Sequence, residues 1–281
     1  MKKKHRSVLL AVSFCFLFLN SLPAVASPIV IKHFNSYNTT QGSILNDRLT
    51  NPNNFGPNGT VRDVSFMIED ISEITSDSIS GADIFIAAFP YEGTQSINDS
   101  EARLLENFVA NGGNLLVSSD ANPISTSSAN AIGSFFGSVN FGGGTDKSSI
   151  NVSDKAKEDF PGITNGPFGK AHSFSWERNA TARIESEGNS TIIDNFGMVS
   201  VIPSTATSGS VVFYADTDLL YVNMPSPYYL GDWDNLRLNV FSYFAENSRV
   251  NNPIPEPGTI TLFGFGLLGL AGIGRRKAKH I

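Results

Sequence analysis

Cysteine is almost absent from this sequence, since Cys15 is the only one among 281 residues. The chain therefore has no disulfide within itself, and everything after Cys15 lacks a thiolate metal ligand and a thiol nucleophile. Histidine is scarce as well: the chain has four, and only His33 and His172 lie away from its two ends. These two histidines show no H-x-x-x-H spacing, so the sequence predicts no zinc site.

Basic residues are few between residues 27 and 254. This part holds 12 of the 20 Lys and Arg residues and 25 of the 26 Asp and Glu residues, which gives a formal charge of −13. An acidic surface repels nucleic acids and anionic lipid head groups. We therefore predict no nucleic-acid partner, whereas a neutral polymer or a divalent cation is compatible with this charge.

The first 26 residues have the three regions of a secretory signal peptide. Residues 8–19 are an apolar run, and Ala24 and Ala26 form a small-x-small cleavage site. The cationic region before the run consists of Lys2, Lys3, Lys4 and Arg6. Phe14 precedes Cys15, where a lipid-modified cysteine would need a small residue. The sequence thus predicts export and cleavage after Ala26.

Residues 255–281 consist of three consecutive blocks. Pro255, Glu256 and Pro257 come first, and residues 259–274 carry no charge. The basic block that follows contains Arg275, Arg276, Lys277 and Lys279. An uncharged helix of this length, rising about 1.5 Å per residue, covers most of a ~30 Å hydrocarbon core, and a basic flank resists translocation. We therefore predict a transmembrane segment over residues 259–274, with the basic stop on the cytoplasmic side.

The order of these blocks resembles the PEP-CTERM sorting signal of Gram-negative bacteria. In that family a Pro-Glu-Pro motif precedes a short membrane segment and an Arg-rich end, and an exosortase processes the signal. The resemblance implies an exosortase as partner, contact with the membrane through the C-terminal helix before processing, and a final location at the cell surface or in an exopolysaccharide matrix. Residues 247–254 would be the linker to this signal. The alternative is an ordinary C-terminal membrane anchor, which needs no Pro-Glu-Pro.

A strand–helix–strand unit is the clearest pattern in the central part, residues 27–246. Residues 82–89 are an apolar run typical of a strand that is covered on both faces. Residues 100–111 form an amphipathic helix, and residues 115–118 form a second buried strand. The apolar face of the helix holds Leu104, Leu105, Phe108 and Val109. Elements of these lengths predict a right-handed crossover between parallel strands.

Shorter patterns predict the remaining elements. The predicted strands cover residues 27–34, 61–68, 190–200 and 209–214, and the predicted helices cover residues 70–80, 126–137 and 232–247. Residues 141–144 and the Asn165-Gly166 pair predict turns.

Residues 82–120 and 209–247 resemble class I glutamine amidotransferase-like domains. In that family a helix that ends in F-V-x-x-G-G, as residues 108–113 do here, leads through a strand to the active-site turn. The resemblance implies a three-layer, flavodoxin-like α/β domain over residues 27–246, with a mostly parallel sheet. The family's catalytic cysteine is missing, because the turn has the sequence Ser118-Ser119-Asp120-Ala121. Amidotransfer chemistry cannot be carried over, and we predict no catalytic residue, cofactor or metal.

We expect a ligand crevice at the carboxyl ends of the parallel strands, because doubly wound sheets bind ligands there. Ser119 and Asp120 follow one predicted strand, and Asp216 and Asp218 follow another. Aromatic rings elsewhere in the chain could stack on a sugar, although core packing explains them equally well. These rings belong to Trp176, Tyr221, Tyr228, Tyr229 and Trp233.

Two other chemistries stay open for these residues. Ser119 would be a nucleophile if His33 or His172 met it as a base, but a serine at a strand exit more often caps a helix. The acidic pairs at 216–218 and 232–234 would offer oxygen ligands to Ca²⁺, although their spacing does not follow the twelve-residue calcium loop. Helix caps explain these pairs more simply.

The sequence as a whole predicts an exported, non-catalytic protein of the cell surface or exopolysaccharide matrix. A carbohydrate is the ligand that we expect in its crevice. The alternative is a secreted hydrolase that acts on a polysaccharide or an ester, through Ser119 or the acidic residues.

Overall fold

A seven-stranded sheet lies at the centre of the fold. The computed structural model describes residues 27–35, 42–90, 93–145, 148–176, 181–221 and 229–251. The strands are β1 (Ile29–Asn35), β2 (Phe55–Gly56), β3 (Val61–Arg62), β4 (Phe66–Ile71), β5 (Ile84–Phe89), β6 (Asn114–Ser119), β7 (Asn140–Thr145), β8 (Ser148–Asn151), β9 (Asn165–Gly166), β10 (Gly169–Lys170), β11 (Ser173–Trp176), β12 (Thr181–Ser186), β13 (Thr191–Ile192), β14 (Val199–Ile202), β15 (Val211–Tyr214) and β16 (Tyr229–Gly231). The helices are α1 (Gly42–Leu49), α2 (Ser76–Ile79), α3 (Asp99–Ala110), α4 (Pro123–Ser134), α5 (Asp154–Asp159), α6 (Pro161–Thr164), α7 (Asp218–Tyr221) and α8 (Trp233–Asn251).

The predicted signal peptide, the Pro-Glu-Pro motif, the transmembrane segment and the basic stop lie outside the described residues. Within the described ranges, no helix combines the length and the apolar character that crossing a membrane requires.

The central sheet has the strand order β13-β14-β15-β6-β5-β1-β4. Strands β4, β1, β5, β6 and β15 form a parallel array, whereas β14 pairs antiparallel with β15 and β13 pairs antiparallel with β14. Every residue of β5 and β6 is buried, which explains why these strands are continuous apolar runs in the sequence. The predicted α/β class, the mostly parallel sheet and the β5–α3–β6 unit are confirmed.

Different helices cover the two faces of this sheet. Phe213 of β15 packs against Phe136, just after α4, with ring centroids 6.1 Å apart. On the other face, the side chain of Asn114 in β6 donates hydrogen bonds to the Phe244 carbonyl and to the Ser248 hydroxyl of α8. Because side chains alternate along a strand, the even-numbered residues of β6 face α8 and the odd-numbered residues face α4.

Helices α3 and α4 both begin with asparagine caps. Asn98 accepts from the backbone of Glu101, whose side chain accepts in return from the Asn98 N–H. Asn122 caps α4 in front of Pro123, so this helix starts three residues earlier than the sequence predicted. The core face of α3 is Ala102, Leu105 and Val109, whereas Leu104 and Phe108 are only partly buried.

Residues 61–68, predicted as one strand, form two. Asp63 has φ 58°, a left-handed conformation that interrupts an extended strand. As a result β3 pairs with β2 in a small separate sheet, and only β4 joins the central sheet beside β1.

Residues 190–200 likewise form two strands, β13 and β14, because Asp194 holds a turn between them. Its carboxylate accepts hydrogen bonds from the backbone N–H groups of Phe196, Gly197, Met198 and Val199. Two predicted turns instead lie within strands. Residues 141–144 belong to β7, which pairs with β12, and Asn165-Gly166 forms β9, so that the turn falls at residues 167–168.

The predicted terminal helix is confirmed as α8, which continues to Asn251 and so occupies part of the predicted linker. Asp232 precedes its first residue, but the Asp232 carboxylate accepts from the backbone N–H groups of His172 and Ser173. Asp234 lies inside the helix and pairs with Arg237 at 2.6 Å. Asp232 thus occupies the predicted N-cap position, where its carbonyl accepts from the Leu236 N–H, while the hydrogen bonds described for its carboxylate come from the segment at residues 172–173.

Candidate functional site

All four residues of the predicted crevice lie at the carboxyl edge of the sheet. Ser119 ends β6, Asp120 follows it, and Asp216 and Asp218 come after β15, the neighbour of β6. In the sheet, β4 lies on one side of β1, whereas β5, β6 and β15 lie on its other side. The sheet thus has a topological switch point between β1 and β5, where ligands of doubly wound sheets bind.

The buried carboxylates of Asp120 and Asp216 belong to one polar group, in which Asp218 takes part through its backbone N–H; we call it the aspartate cluster. Thr217 donates to the Asp120 carboxylate from its N–H at 3.0 Å and from its hydroxyl at 2.7 Å. Asp216 accepts from the Thr181 hydroxyl at 3.2 Å and from the Asp218 N–H at 2.8 Å. Asp120 and Thr181 also form an isolated β-bridge. These contacts fasten the loops after β6 and β15 to each other and to β12.

Ser119 is fully buried, and its hydroxyl donates to the carbonyl of Asp120 at 3.1 Å. Both ring nitrogens of His33 bind other partners, and Nε2 of His172 has no hydrogen-bond partner among the described residues. The structure therefore does not form the pair of Ser119 with a histidine base that a serine nucleophile requires.

A second polar group lies at the same edge, which sequence reasoning missed. Nδ1 of His33 in β1 lies 2.6 Å from Oδ1 of Asp70 in β4, and Nε2 lies 2.6 Å from the hydroxyl of Tyr221, the last residue of α7. The His33 side chain is 1% exposed, whereas that of Asp70 is 79% exposed. We call Asp70, His33 and Tyr221 the His33 chain.

The protonation of the His33 chain follows from its partners. An ionised Asp70 only accepts, so Nδ1 of His33 carries a proton, and in the neutral imidazole Nε2 then accepts from the Tyr221 hydroxyl. The hydrogen bond from His33 lowers the pKa of Asp70, against an opposing effect of burial. Burial raises the pKa of Tyr221 well above its ordinary value, and the charges of Asp70 and Asp120 add to this rise. Tyr221 is therefore a neutral phenol that donates to His33.

The His33 chain has the order of groups by which a carboxylate and an imidazole activate a hydroxyl nucleophile. Burial and the two nearby carboxylates disfavour a phenolate, so this geometry serves better as a link between β1, β4 and α7. His33 and Asp70 meet because they are Cα partners in the β1–β4 register, while Tyr221 is 188 positions away. No local sequence signal could have identified these contacts.

The described ranges give no support to a metal site or to an aromatic sugar-binding surface. These residues contain no group of three or more His, Cys, Asp or Glu side chains that could hold a metal ion. Trp233 packs on Phe174 with ring centroids 4.2 Å apart, and its indole N–H donates to the Ser175 carbonyl. Trp233 and Tyr221 are thus buried parts of the core and offer no open surface to a sugar. The side chains of Trp176, Tyr228 and Tyr229 lie outside the described part.

An open groove with a volume of ≈ 400 Å³ lies at the amino-terminal edge of the sheet. It runs between the loop before β5 and the end of α3, and Leu104 and Phe108 line it, which explains their partial burial. Its lining also contains the polar residues Ser76, Ser80, Asp83, Asn107, Asn111 and Ser248.

Sequence comparison finds a known sorting motif near the end of the chain. Residues 253–277 match the PEP-CTERM protein-sorting motif. This match supports an exported chain that an exosortase recognises and that is sorted to the cell envelope or surface. No curated protein matches the chain.

Solved structures resemble the described fold only distantly. The mmIFT52 N-terminal domain aligns with a TM-score of 0.53 and 14% identity, over 76% of this chain and 97% of that chain. A ThuA-like protein from Bacteroides uniformis aligns with a TM-score of 0.47 and 11% identity, over 80% and 95% of the two chains. The β-galactosidase from Rahnella sp. R3 has a TM-score of 0.45 and 11% identity, and the aligned part is 82% of this chain and 33% of the enzyme.

The likeness to the mmIFT52 N-terminal domain shows a shared fold alone. The other two alignments, with TM-scores below 0.5, are too weak to support a conclusion. The resemblance to class I glutamine amidotransferase-like domains gains no support from them and stays a prediction.

Proposed function

We propose that the chain is an exported, non-catalytic protein that an exosortase sorts to the cell surface or to an exopolysaccharide matrix. The sorting motif at residues 253–277 is the observation that supports this most directly. The formal charge of −13 on residues 27–254 is compatible with a neutral polymer as partner. In this proposal the folded body binds a carbohydrate at the carboxyl edge of its sheet.

The hydrogen bonds at this edge argue against Ser119 and the buried aspartates as catalytic groups. The Ser119 hydroxyl is buried against Asp120, and the carboxylates of Asp120 and Asp216 accept from Thr217, Thr181 and the Asp218 N–H. A nucleophile needs an activated group that a substrate can reach, and these groups are engaged inside the protein.

Sorting is tested by the intact mass of the protein from its native host and by the cell fraction that contains it. We expect a mass that ends close to residues 255–258, outside the inner membrane. A mass that retains residues 275–281, found in the inner membrane, would indicate an ordinary anchor and overturn the sorting proposal. Binding is tested separately, by titrating the processed protein with purified exopolysaccharide from the same host.

The hydrolase alternative is favoured by one observation, the order of groups in the His33 chain. Turnover of 4-nitrophenyl acetate, 4-nitrophenyl β-galactoside and the host exopolysaccharide would test it. Tyr221→Phe is the informative variant, and Tyr243→Phe, a partly buried tyrosine of α8, is its matched control. We expect no turnover by any of these proteins. Turnover that Tyr221→Phe abolishes and Tyr243→Phe preserves would establish a hydrolase.

A further inference from the structure

Three Asn-Gly pairs occur in the chain, at residues 58–59, 111–112 and 165–166. Asparagine is a chemically labile residue, and a following glycine makes it more so, because glycine has no side chain to shield its amide nitrogen and allows the backbone to bend. The reaction closes a five-membered ring between Cγ of the asparagine and the nitrogen of the glycine. It therefore needs an asparagine side chain that can rotate and a ψ angle at the asparagine that can change.

The pair at residues 111–112 is held at both groups that must react. Nδ2 of Asn111 donates to the Asn107 carbonyl at 2.7 Å, and this bond opposes rotation of the side chain. The N–H of Gly112 donates to the Val109 carbonyl at 2.9 Å, an ordinary length for a backbone hydrogen bond. Ring closure at this pair would have to break both bonds.

The pair at residues 165–166 is held through its backbone. Both residues belong to β9, which pairs with β10, and the N–H of the asparagine donates to the Pro161 carbonyl. The buried side chain of Asn239 donates to the carbonyls of Ile163 and Gly169, before and after the pair. A change of ψ at the asparagine would therefore disturb the strand pair and its contacts with α8.

The pair at residues 58–59 lies in an exposed turn between β2 and β3. Asn58 is exposed, and the hydrogen bonds among the described residues include none of its side chain or its backbone. The N–H of Gly59 donates to the Gly56 carbonyl at 3.2 Å, which is the long end of the usual range. This asparagine is therefore the least restrained of the three.

The two glycines do not explain the difference between this turn and β9. A Cβ at Gly59 would lie 2.9 Å from the carbonyl oxygens of Pro52 and Asn54, and a Cβ at Gly166 would lie 2.2 Å from that of Gly162. Both glycines thus pack closely on backbone. What distinguishes the turn is its asparagine, which rotates its side chain freely and changes ψ at the cost of one long hydrogen bond.

We infer that Asn58 is the fastest site of spontaneous deamidation among the three Asn-Gly pairs of the folded protein. The nitrogen of Gly59 attacks Cγ of Asn58, the new N–C bond replaces the bond from Cγ to Nδ2, and ammonia leaves with the proton of the Gly59 amide. Water then opens the succinimide at one of its two carbonyls and gives aspartate or isoaspartate. Either product adds one negative charge to the turn, and isoaspartate also lengthens its backbone by one methylene group.

Peptide mapping by mass spectrometry tests this inference, after the full chain has been incubated in a mild detergent at mildly alkaline pH. We expect aspartate and isoaspartate to form at residue 58 at least about tenfold faster than at residues 111 and 165, because those two sites must first open locally. Equal rates in the folded protein, or faster conversion at residue 111 or 165, would overturn the inference.

The same measurement in urea isolates the contribution of the fold. The three rates should then agree within about threefold, since the unfolded chain restrains none of the pairs. A rate difference that persists unchanged in urea would overturn the inference, because the local sequence and not the folded structure would be its cause.

Two conservative variants give a second readout. Glutamine would have to close a six-membered ring, which is much slower, so Asn58→Gln should remove the main acidic species that anion-exchange chromatography resolves in the aged protein. Asn111→Gln, which also replaces an exposed asparagine, is the matched control and should leave that species in place. Survival of the acidic species in Asn58→Gln, or its loss in Asn111→Gln, would contradict the assignment to Asn58.

Discussion

The Asp194 turn and the His33 chain both place a carboxyl group among hydrogen-bond donors, but they do so over very different distances in sequence. Asp194 binds backbone N–H groups that lie two to five residues after it. In the His33 chain the partners are 37 and 188 positions apart. The Asp194 turn can therefore form with its own segment, whereas the His33 chain exists only once β1, β4 and α7 have packed together.

The surroundings of the two carboxyl groups also differ. Asp194 is 6% exposed, and burial raises its pKa although backbone hydrogen bonds oppose the rise. The side chain of Asp70 is largely exposed, and the hydrogen bond from His33 lowers its pKa. Burial thus has the largest effect on the pKa of Asp194, whereas the hydrogen bond from His33 has the largest effect on the pKa of Asp70. Substitutions in the two groups should reveal this difference.

Asp194→Ala should have the largest effect, a loss of about 3–4 kcal/mol in the free energy of unfolding. The variant leaves four backbone N–H groups without their acceptor, and a buried unpaired donor is costly. Urea unfolding measures the loss. Glu158→Ala, which removes an exposed acid, should stay within about 0.5 kcal/mol of the parent protein. An Asp194→Ala loss as small as this would mean that water replaces the carboxylate and that the turn does not depend on it.

The same difference between local and distant contacts explains what the sequence could predict. The β5–α3–β6 unit was predictable because each part has a local signal: an apolar run, a capping box at Asn98 and Glu101, and a second apolar run. The break at Asp63 was not predictable. Aspartate is common in ordinary loops, and nothing in the local sequence shows that this one adopts a positive φ.

The site shows the same limit. Ser119, Asp120, Asp216 and Asp218 were expected together because the carboxyl ends of neighbouring parallel strands meet at one edge. Their donors were not predictable, since Thr181 reaches Asp216 from β12, far along the chain. The local sequence predicts a helix at Asp70, and only the register of β4 against β1 places this residue beside His33.

Tyr221→Phe should destabilise the protein by about 1–2 kcal/mol. The variant keeps the ring but leaves the buried Nε2 of His33 without its donor, and an unpaired buried acceptor costs about this much. Tyr243→Phe is the control, and its effect should be within about 0.5 kcal/mol. Urea unfolding of both variants under the same conditions gives the comparison. Equal effects of the two substitutions would show that the His33 chain contributes nothing beyond packing.

The smallest expected effects concern the pH dependence of stability, which should have opposite signs for Asp70 and Asp194. The folded-state pKa of Asp70 is lowered, so its contribution to stability is present above the unfolded value of about 3.9 and is lost as the pH falls through the folded value. The destabilisation by Asp70→Asn should therefore shrink on acidification. Because the side chain is 79% exposed, we expect at most about 0.5–1 kcal/mol at neutral pH.

Asp194→Asn is the matched substitution with the opposite expectation. The folded-state pKa of Asp194 is raised, so its contribution is fully present below the unfolded pKa and is lost as the pH rises through the folded value. The advantage of the parent protein over this variant should therefore shrink as the pH rises. Urea unfolding of both variants and the parent between acidic and neutral pH measures the two slopes. Slopes of the same sign would mean that the four backbone hydrogen bonds outweigh burial at Asp194, and that both carboxyl groups are held in their ionised form.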